Sequence, residues 1–314
     1  MELFTSTLLL VYCLTFVSAP PDLDYFDYHQ QMNEAFELLS EEDFSAARQK
    51  MERTFNQFDF VFAKDYLIAA QLFAKDKDYV NAIKYLEKAL QGGCLLDCTQ
   101  DIGVFNELKS LSVWNTLLTK EIELRKSYLK SIDINLLEEF SKRYQQEQEQ
   151  KKTEYYQLTV YDNFKRIVEI TEEKGFPGER LIGLDYEQLA PKCEDCDLGN
   201  SKVIVTFLHY DHPIAELGDS LFINAIRQGN LHPREFAAIY NYEKSKVSVL
   251  YKKSLKTFEP LPEYHFNLPF KKKVEDLELV NSDRKKFGIG RVEVDEKLEL
   301  IADEYGMKFM FGYN

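Results

Sequence analysis

Turn-forming residues are scarce in this sequence of 314 residues, which contains only 13 glycines and 9 prolines. A sandwich or barrel of many short strands needs such residues at its turns, so their scarcity favours helix. Hydrophobic residues make up 45% of the chain and charged residues 29%, a balance that argues against global disorder. The length allows two domains, or a repeat array followed by one domain.

The sequence also lacks a surplus of positive charge, because 39 Lys and Arg residues stand against 53 Asp and Glu residues and give a net charge of −14. Such a chain repels phosphate backbones and anionic lipid surfaces. The basic run Lys271-Lys272-Lys273 is short and is followed by Glu275 and Asp276, which is typical of a solvated loop. We therefore expect no nucleic-acid partner.

The apolar run from Leu8 to Val17 is too short to cross a bilayer as a helix, but it has the length of a signal-peptide core. Small residues at Ser18 and Ala19 suit cleavage, and Pro20 and the residues after it end the run abruptly. The alternative is a buried N-terminal helix. We predict a signal peptide over residues 1–19, an exported protein (periplasmic or extracellular), and no integral membrane segment after removal of the signal.

Cysteine is rare, and four cysteines remain after the predicted signal: Cys94, Cys98, Cys193 and Cys196. An even number in an exported chain indicates disulfides, so all four are disulfide candidates. Cys193 and Cys196 have the spacing of a redox or zinc motif, but the acidic residues between them disfavour thiolate chemistry. Structural disulfides or plain thiols are the preferred interpretation. The alternatives are a zinc site, formed jointly by the four cysteines and with Cys193 and Cys196 as its candidate ligands, and redox catalysis.

A repeat with an offset of 35 residues occupies the N-terminal part of the chain. The matched residues are Ala35 and Ala70, Asp43 and Asp78, Phe44 and Tyr79, Ala47 and Ala82, Met51 and Leu86, Glu52 and Glu87, and Phe55 and Leu90. Small residues at Ala70, Ala74 and Ala82 allow helices to approach closely, and Gly92-Gly93 ends the second helix of the second unit.

This pattern, over roughly residues 25 to 93, resembles the tetratricopeptide repeat (TPR), a helix-turn-helix of nearly this period. The resemblance implies helical hairpins that bind protein or peptide partners. The alternative is a generic helical bundle with a chance repeat.

Two hairpins cannot bury their faces alone, so the residues that follow are predicted to cap them. Residues 22–143 are therefore interpreted as a TPR-like module with capping helices. The capping residues are Phe105, Leu108, Leu111, Trp114, Leu117, Leu118, Leu136, Leu137 and Phe140. The polar run from Gln145 to Lys152 is interpreted as a solvated helical connector, assigned to residues 144–160, and residues 161–314 as a C-terminal, mostly α domain of unknown function.

Within this C-terminal part, Gly175-Phe176-Pro177-Gly178 is predicted to end a helix, and Pro233 to begin one. The apolar run from Val203 to Leu208 permits either a strand or a helix, and Ser248 to Leu255 suggests a short strand. A last helix is predicted from Val294 to Tyr305. The predicted fold class is mainly α, with TPR-like helical hairpins followed by a mostly helical domain with a few short strands.

The order of the C-terminal pieces resembles an uncharacterised domain of exported bacterial proteins, often placed after helical repeats. The pieces are a Gly-Phe-Pro turn, Ile182-Gly183, an apolar run into His209-Tyr210-Asp211-His212-Pro213, a helix ending at Gly229, and a helix from Pro233. This chain has Asn241-Tyr242 where that family commonly has Asp-Arg. The resemblance implies an architecture and no activity.

The string from Thr206 to His212 is similar to the zinc-binding signature of metallo-β-lactamase-like hydrolases, but Phe207 stands where the first ligand histidine belongs. His29, His232 and His265 offer no clear further ligand set. What remains is a candidate acid–base group of His209, Asp211 and His212, against the alternative of a polar helix end.

No P-loop, dinucleotide fingerprint, nucleophile elbow or zincin helix is present, so no cofactor is expected. The first hypothesis is therefore a non-enzymatic exported protein that binds a protein or peptide partner through its helical repeats. The competing hypothesis is a hydrolase or other enzyme centred on His209, Asp211 and His212.

Overall fold

A computed structural model of the chain describes residues 23–184, 201–210, 217–243 and 277–309. The prediction of a mainly α chain is confirmed, since the regular structure in these ranges is helical. The helices are α1 (Tyr25–Ser40), α2 (Phe44–Gln57), α3 (Ala63–Lys75), α4 (Tyr79–Gln91), α5 (Leu96–Gln100), α6 (Asn106–Lys109), α7 (Ser112–Ser131), α8 (Ile134–Gln150), α9 (Tyr156–Lys174), α10 (Glu179–Ile182), α11 (Ser201–His209), α12 (Asp219–Arg227), α13 (233–243), α14 (Leu277–Lys286) and α15 (Val292–Tyr305). A short 3₁₀ helix covers Gly103–Phe105.

The expected short strands are not found in the described ranges, and this part of the prediction is wrong there. The run from Val203 to Leu208 lies in α11, where Val203, Ile204 and Phe207 recur at helical spacing and are buried. Its β-branched residues permitted either structure, and the burial of one helical face decides for helix. The suggested strand from Ser248 to Leu255 lies outside the described residues.

The turns that join α1 to α2 and α3 to α4 have the same backbone geometry, 35 residues apart. Glu42 and Lys77 adopt left-handed conformations, with φ of 60° and 61°. The next residues, Asp43 and Asp78, cap the following helices, each accepting a backbone N–H with its carboxylate, at 3.0 and 3.2 Å respectively. Each hairpin therefore closes through the same local interactions.

The central helix of the first four is α3, which packs against both α2 and α4. The small residues expected at the helix contacts are buried, as Ala70, Ala74 and Ala82 show. Gly92 ends α4 as expected, and a Cβ at Gly92 would lie 2.8 Å from Ala63 Cβ. Small side chains thus set how closely these helices approach.

The described residues build two main hydrophobic cores. The first joins α1 to α4 with Phe105, Trp114 and Leu117, and the last helix returns to it through residues that include Leu298 and Ile301. The second joins α8, α9, α11, α12 and α13, and its members include Leu136, Leu137, Phe140, Phe164, Ile167, Phe207, Phe222 and Phe236. Leu136, Leu137 and Phe140, which were expected to cap the hairpins, instead pack in the second core. The helix that covers α1 is α15.

The polar run from Gln145 to Lys152 is helical as far as Gln150, as the last turns of α8. It is not wholly solvated, because the side chain of Glu147 is fully buried, and for this residue the interpretation as a solvated connector is wrong. Polar composition does not reveal such burial when the residues that hydrogen-bond to the buried group come from distant segments.

None of the helices in the described ranges combines the length and apolar character of a membrane-crossing segment.

Candidate functional site

One polar site lies where α8, α9 and α11 meet. His209, the last residue of α11, hydrogen-bonds through Nδ1 to the buried carboxylate of Glu147. Asn163 Nδ2 and Thr206 Oγ1 donate to the other Glu147 oxygen at 2.9 and 3.1 Å. The His209 side chain retains 18% exposure, so a partly exposed imidazole stands in front of a fixed carboxylate.

The Glu147 carboxylate is stabilised in its charged form. Burial alone would raise its pKa, but the hydrogen bonds from His209, Asn163 and Thr206 outweigh this effect and hold the pKa below its ordinary value. A charged carboxylate at Nδ1 orients the imidazole and fixes its tautomer, which is the arrangement that proton transfer by histidine requires. Sequence reasoning found His209 and missed Glu147, whose only signal was its place in a polar helical run.

The other predicted site residues are not brought together in the described structure. Asp211, His212, Cys193 and Cys196 lie outside the described residues. Cys94 is a buried free thiol whose pKa is raised by burial, and Cys98 is disulfide-bonded. Cys94 and Cys98 are therefore not bridged to each other, and the partner of Cys98 lies outside the described ranges.

A second polar cluster is buried between α1, α3 and α13. The rings of His29 and His232 stand nearly perpendicular with centroids 5.1 Å apart, and both rings contact Phe62. Burial lowers the pKa of both imidazoles, and the positive charge of Lys64 lowers it further, so both are neutral near pH 7. The sequence showed no relation between these histidines, which belong to distant segments.

The first turn of α3 supplies the charged part of this cluster. Lys64 Nζ donates to Asp65 Oδ1 at 2.6 Å, and Tyr28 Oη donates to Asp65 Oδ2 at 2.6 Å. A cavity of about 30 Å³ borders Lys64, Asp65, His29 and His232, and His29 Nε2 has no hydrogen-bond partner in the described residues. The volume is enough for a water-sized group.

Glu179, at the start of α10, connects this cluster to the rest of the chain. Its Oε1 accepts the backbone N–H of Ala63 at 2.7 Å and so caps α3, whose own N-cap residue Phe62 makes no side-chain cap. Burial raises the pKa of the Glu179 carboxyl to about 8, and the nearby Glu235 and Asp65 charges contribute to the rise. The carboxyl is therefore protonated near pH 7.

Above the cluster, a cleft of about 660 Å³ separates one face of α1 from one face of α14. Its lining side chains are Phe26, Gln30, Asn33, Glu34 and Glu37 on α1, Glu278, Asn281, Ser282 and Lys285 on α14, and residues 288–291. Asn33 Nδ2 donates to Gly288 O at 2.9 Å, and Asn33, Gly288 and Ile289 also border the small cavity. The cleft has the size of a ligand site and rests on the buried polar cluster.

Among the described residues, no group of three or more His, Cys, Asp or Glu side chains is arranged to hold a metal ion. No protein-family model, curated protein or solved structure matches the chain at a significant level. Function is therefore inferred from the geometry of the polar sites and the cleft.

Proposed function

We propose that the chain is a non-enzymatic interaction protein that binds a peptide segment of a partner protein in the cleft between α1 and α14. The observation that carries this proposal is the cleft itself, which is open, about 660 Å³ in volume and lined by two helical faces. In the TPR-like interpretation of the two N-terminal hairpins, α1 is the first helix of the array, and such arrays bind peptides along an extended concave surface.

The chemistry of the cleft rim supports a peptide as the ligand. Glu37, Glu278 and Lys285 are exposed there and make no ion pair with another described residue, so their charges remain available to a partner. The exposed amide of Gln30 can both donate to and accept from a peptide backbone. Export through the predicted signal segment, residues 1–19, is part of the same proposal, and the N-terminal sequence of the secreted protein would test it.

Site-specific photo-crosslinking tests the cleft. A photoreactive residue in place of Gln30 is expected to crosslink to a partner, while the same residue in place of the exposed Glu123 on α7 is not. Lys285→Glu should weaken binding of that partner about tenfold, because it reverses one charge at the rim. Equal crosslinking at both positions, or an unchanged affinity in Lys285→Glu measured by calorimetry, would contradict the proposal.

The second candidate function is hydrolysis with His209 as the acid–base group, and the bond between His209 and the buried Glu147 favours it. We expect that if the chain hydrolyses any of a panel of chromogenic esters, His209→Gln and Glu147→Gln will each lower kcat/KM by at least about 10². The exposed Glu138 on the same helix provides the control, and Glu138→Gln should leave the rate unchanged. A rate that persists in His209→Gln would exclude this candidate.

A further inference from the structure

The small cavity between α1, α3 and α13 is bordered by two side chains with unused hydrogen-bonding capacity. Lys64 Nζ carries three N–H groups, and Asp65 Oδ1 is the one acceptor that it reaches among the described residues, at 2.6 Å. His29 is only 4% exposed, and its Nε2 has no hydrogen-bond partner in the described part of the chain. Both side chains border the cavity. Buried polar groups in this state cost free energy until a ligand or a water reaches them.

The acidic acceptor beside them is already used. Asp65 Oδ1 accepts from Lys64 and Asp65 Oδ2 accepts from Tyr28 Oη, each at 2.6 Å. His232 Nδ1 accepts the backbone N–H of Arg234 at 3.2 Å, so the proton of this neutral ring is on Nε2. The unused N–H groups of Lys64 therefore require an acceptor from outside the cluster.

The charges on the cavity wall favour an anion. The charged side chains that border the cavity are Lys64, Asp65 and Arg234, two cations and one anion, so one positive charge is in excess. Arg234 pairs with Asp295 outside the cavity, but Asp295 also pairs with Arg284. The first turns of α3 and α13 form part of the same wall, and the positive ends of both helix dipoles add to the attraction.

Two further buried carboxyls are close but do not border the cavity. Glu179 accepts the backbone N–H of Ala63, and burial raises its pKa to about 8, so it carries no charge near pH 7. Glu235 Oε2 accepts the backbone N–H of His232 at 3.2 Å, at the start of α13. Neither carboxyl therefore supplies the missing acceptor in the cavity.

The cavity has room for a carboxylate and an entrance from the cleft. Its volume of about 30 Å³ is about twice what a single water requires. Asn33, Gly288 and Ile289 border both the cavity and the cleft, so the two spaces meet at these residues. A carboxylate can therefore enter the cavity while the rest of its molecule stays in the cleft.

We infer that the cavity is a carboxylate pocket at the base of the cleft, where the carboxylate of a ligand accepts from Lys64 Nζ and from His29 Nε2. Hydrogen bonds to a charged acceptor are roughly twice as strong as bonds between neutral groups, so a carboxylate satisfies Lys64 better than water does. A carboxylate also selects the neutral tautomer of His29 that carries its proton on Nε2. The inference rests on the proposed function only for the source of the carboxylate, which is the C-terminus or an acidic side chain of a peptide in the cleft.

Acetate is the probe that tests the pocket in the full chain without a peptide. Acetate is expected to raise the Tm with saturation, whereas acetamide, which has the same shape and no charge, is not, at equal ionic strength. His29→Phe keeps a ring against Phe62 and removes Nε2, and it should weaken acetate binding at least about tenfold, as should Lys64→Met. The exposed Lys126 of α7 gives the control, and Lys126→Met should bind acetate as the wild type does.

Equal Tm values in acetate and acetamide would overturn the pocket and leave the cavity to water. If neither variant folds, the wild-type chain labelled with nitrogen-15 at histidine still decides. The Nε2 resonance of His29 should move on addition of acetate, with the Kd given by the Tm series. A His29 resonance that stays in place would also overturn the assignment.

Competition against isotope-labelled acetate identifies the source of the carboxylate. Three pools of short peptides are compared: one without acidic residues and with a free C-terminus, the same pool amidated, and an amidated pool with one glutamate in each peptide. Displacement by the first pool assigns the C-terminus, and displacement by the third assigns the side chain. Displacement by the second pool would overturn the carboxylate assignment. Acetate binding that no pool displaces would refute the peptide of the proposed function and leave the pocket itself standing for a free organic acid.

Discussion

Replacing Asp295 by asparagine is expected to lower the free energy of unfolding by about 3–5 kcal/mol, because it leaves two arginines without their shared counterion. Asp295 is buried at the start of α15 and pairs with Arg234 at 2.6 Å and with Arg284. Arg284 is also fully buried, and burial lowers the pKa of its guanidinium to about 10, so it still carries its charge at neutral pH. Asparagine keeps the shape of the side chain, removes the charge, and leaves one oxygen where two now accept from the arginines.

The same substitution should disturb the cleft. Arg284 Nε donates to Gly290 O at 2.5 Å, so the ion triad holds the loop that lines the cleft against α14. Urea denaturation gives the stability change, and the exposed Asp303 on the same helix provides a matched control, Asp303→Asn, expected to stay within about 0.5 kcal/mol of the wild type. A loss below about 1 kcal/mol in Asp295→Asn would show that the triad does not hold the three helices together.

The pH dependence of stability is expected to pass through a maximum near pH 6.5. His29 and His232 are buried and their pKa values lie below the ordinary 6.5. As the pH falls through 6.5, the unfolded chain takes up two protons that the folded chain does not, so the free energy of unfolding decreases. The groups that face them include Lys64, whose charge reinforces this effect.

The carboxyl of Glu179 has the opposite effect, because it lowers the free energy of unfolding as the pH rises. Its pKa rises from 4.5 to about 8 on folding, so between these values the unfolded carboxyl is ionised while the folded one keeps its proton. Stability due to this group is present below pH 4.5 and is lost as the pH rises toward 8, by about 1.4 kcal/mol per pH unit. Below pH 6.5 the two histidines outweigh Glu179, and above pH 6.5 Glu179 is the one of these three groups that still changes its protonation on folding.

Urea denaturation across this pH range, with the variant Glu179→Gln, tests the prediction. Gln can keep the acceptor for Ala63 N–H and cannot ionise, so the decline above pH 6.5 should disappear in the variant. The control Glu173→Gln, at an exposed position of α9, should keep the decline. A wild-type protein whose stability is constant from about pH 6.5 to pH 8 would contradict the assigned proton on Glu179.

Local sequence signals were sufficient to predict the two N-terminal helical hairpins. Asp43 and Asp78 cap the helices that follow them, and Gly92 ends α4, because each of these features depends on residues within one turn. For the run from Val203 to Leu208, local propensity permitted two structures. Its burial against α8 and α9 decided for helix, and no local pattern contains that information.

The candidate sites were less predictable, because their partners are far apart in sequence. His209 was identified from its own neighbours, whereas its partner Glu147 lies 62 residues earlier in a run that reads as solvated. Single-sequence patterns cannot supply such pairings.

The return of α15 to α1 has a consequence for the order in which the molecule is made. The hydrogen bond from Asn33 to Gly288 closes a loop of 255 residues, and Leu298 and Ile301 complete the core beneath the first hairpin. Contacts of such long range form late and slow folding, because the entropy of closing the loop must be overcome first. The face of α1 that α15 covers is thus completed only after the last described helix has been synthesised.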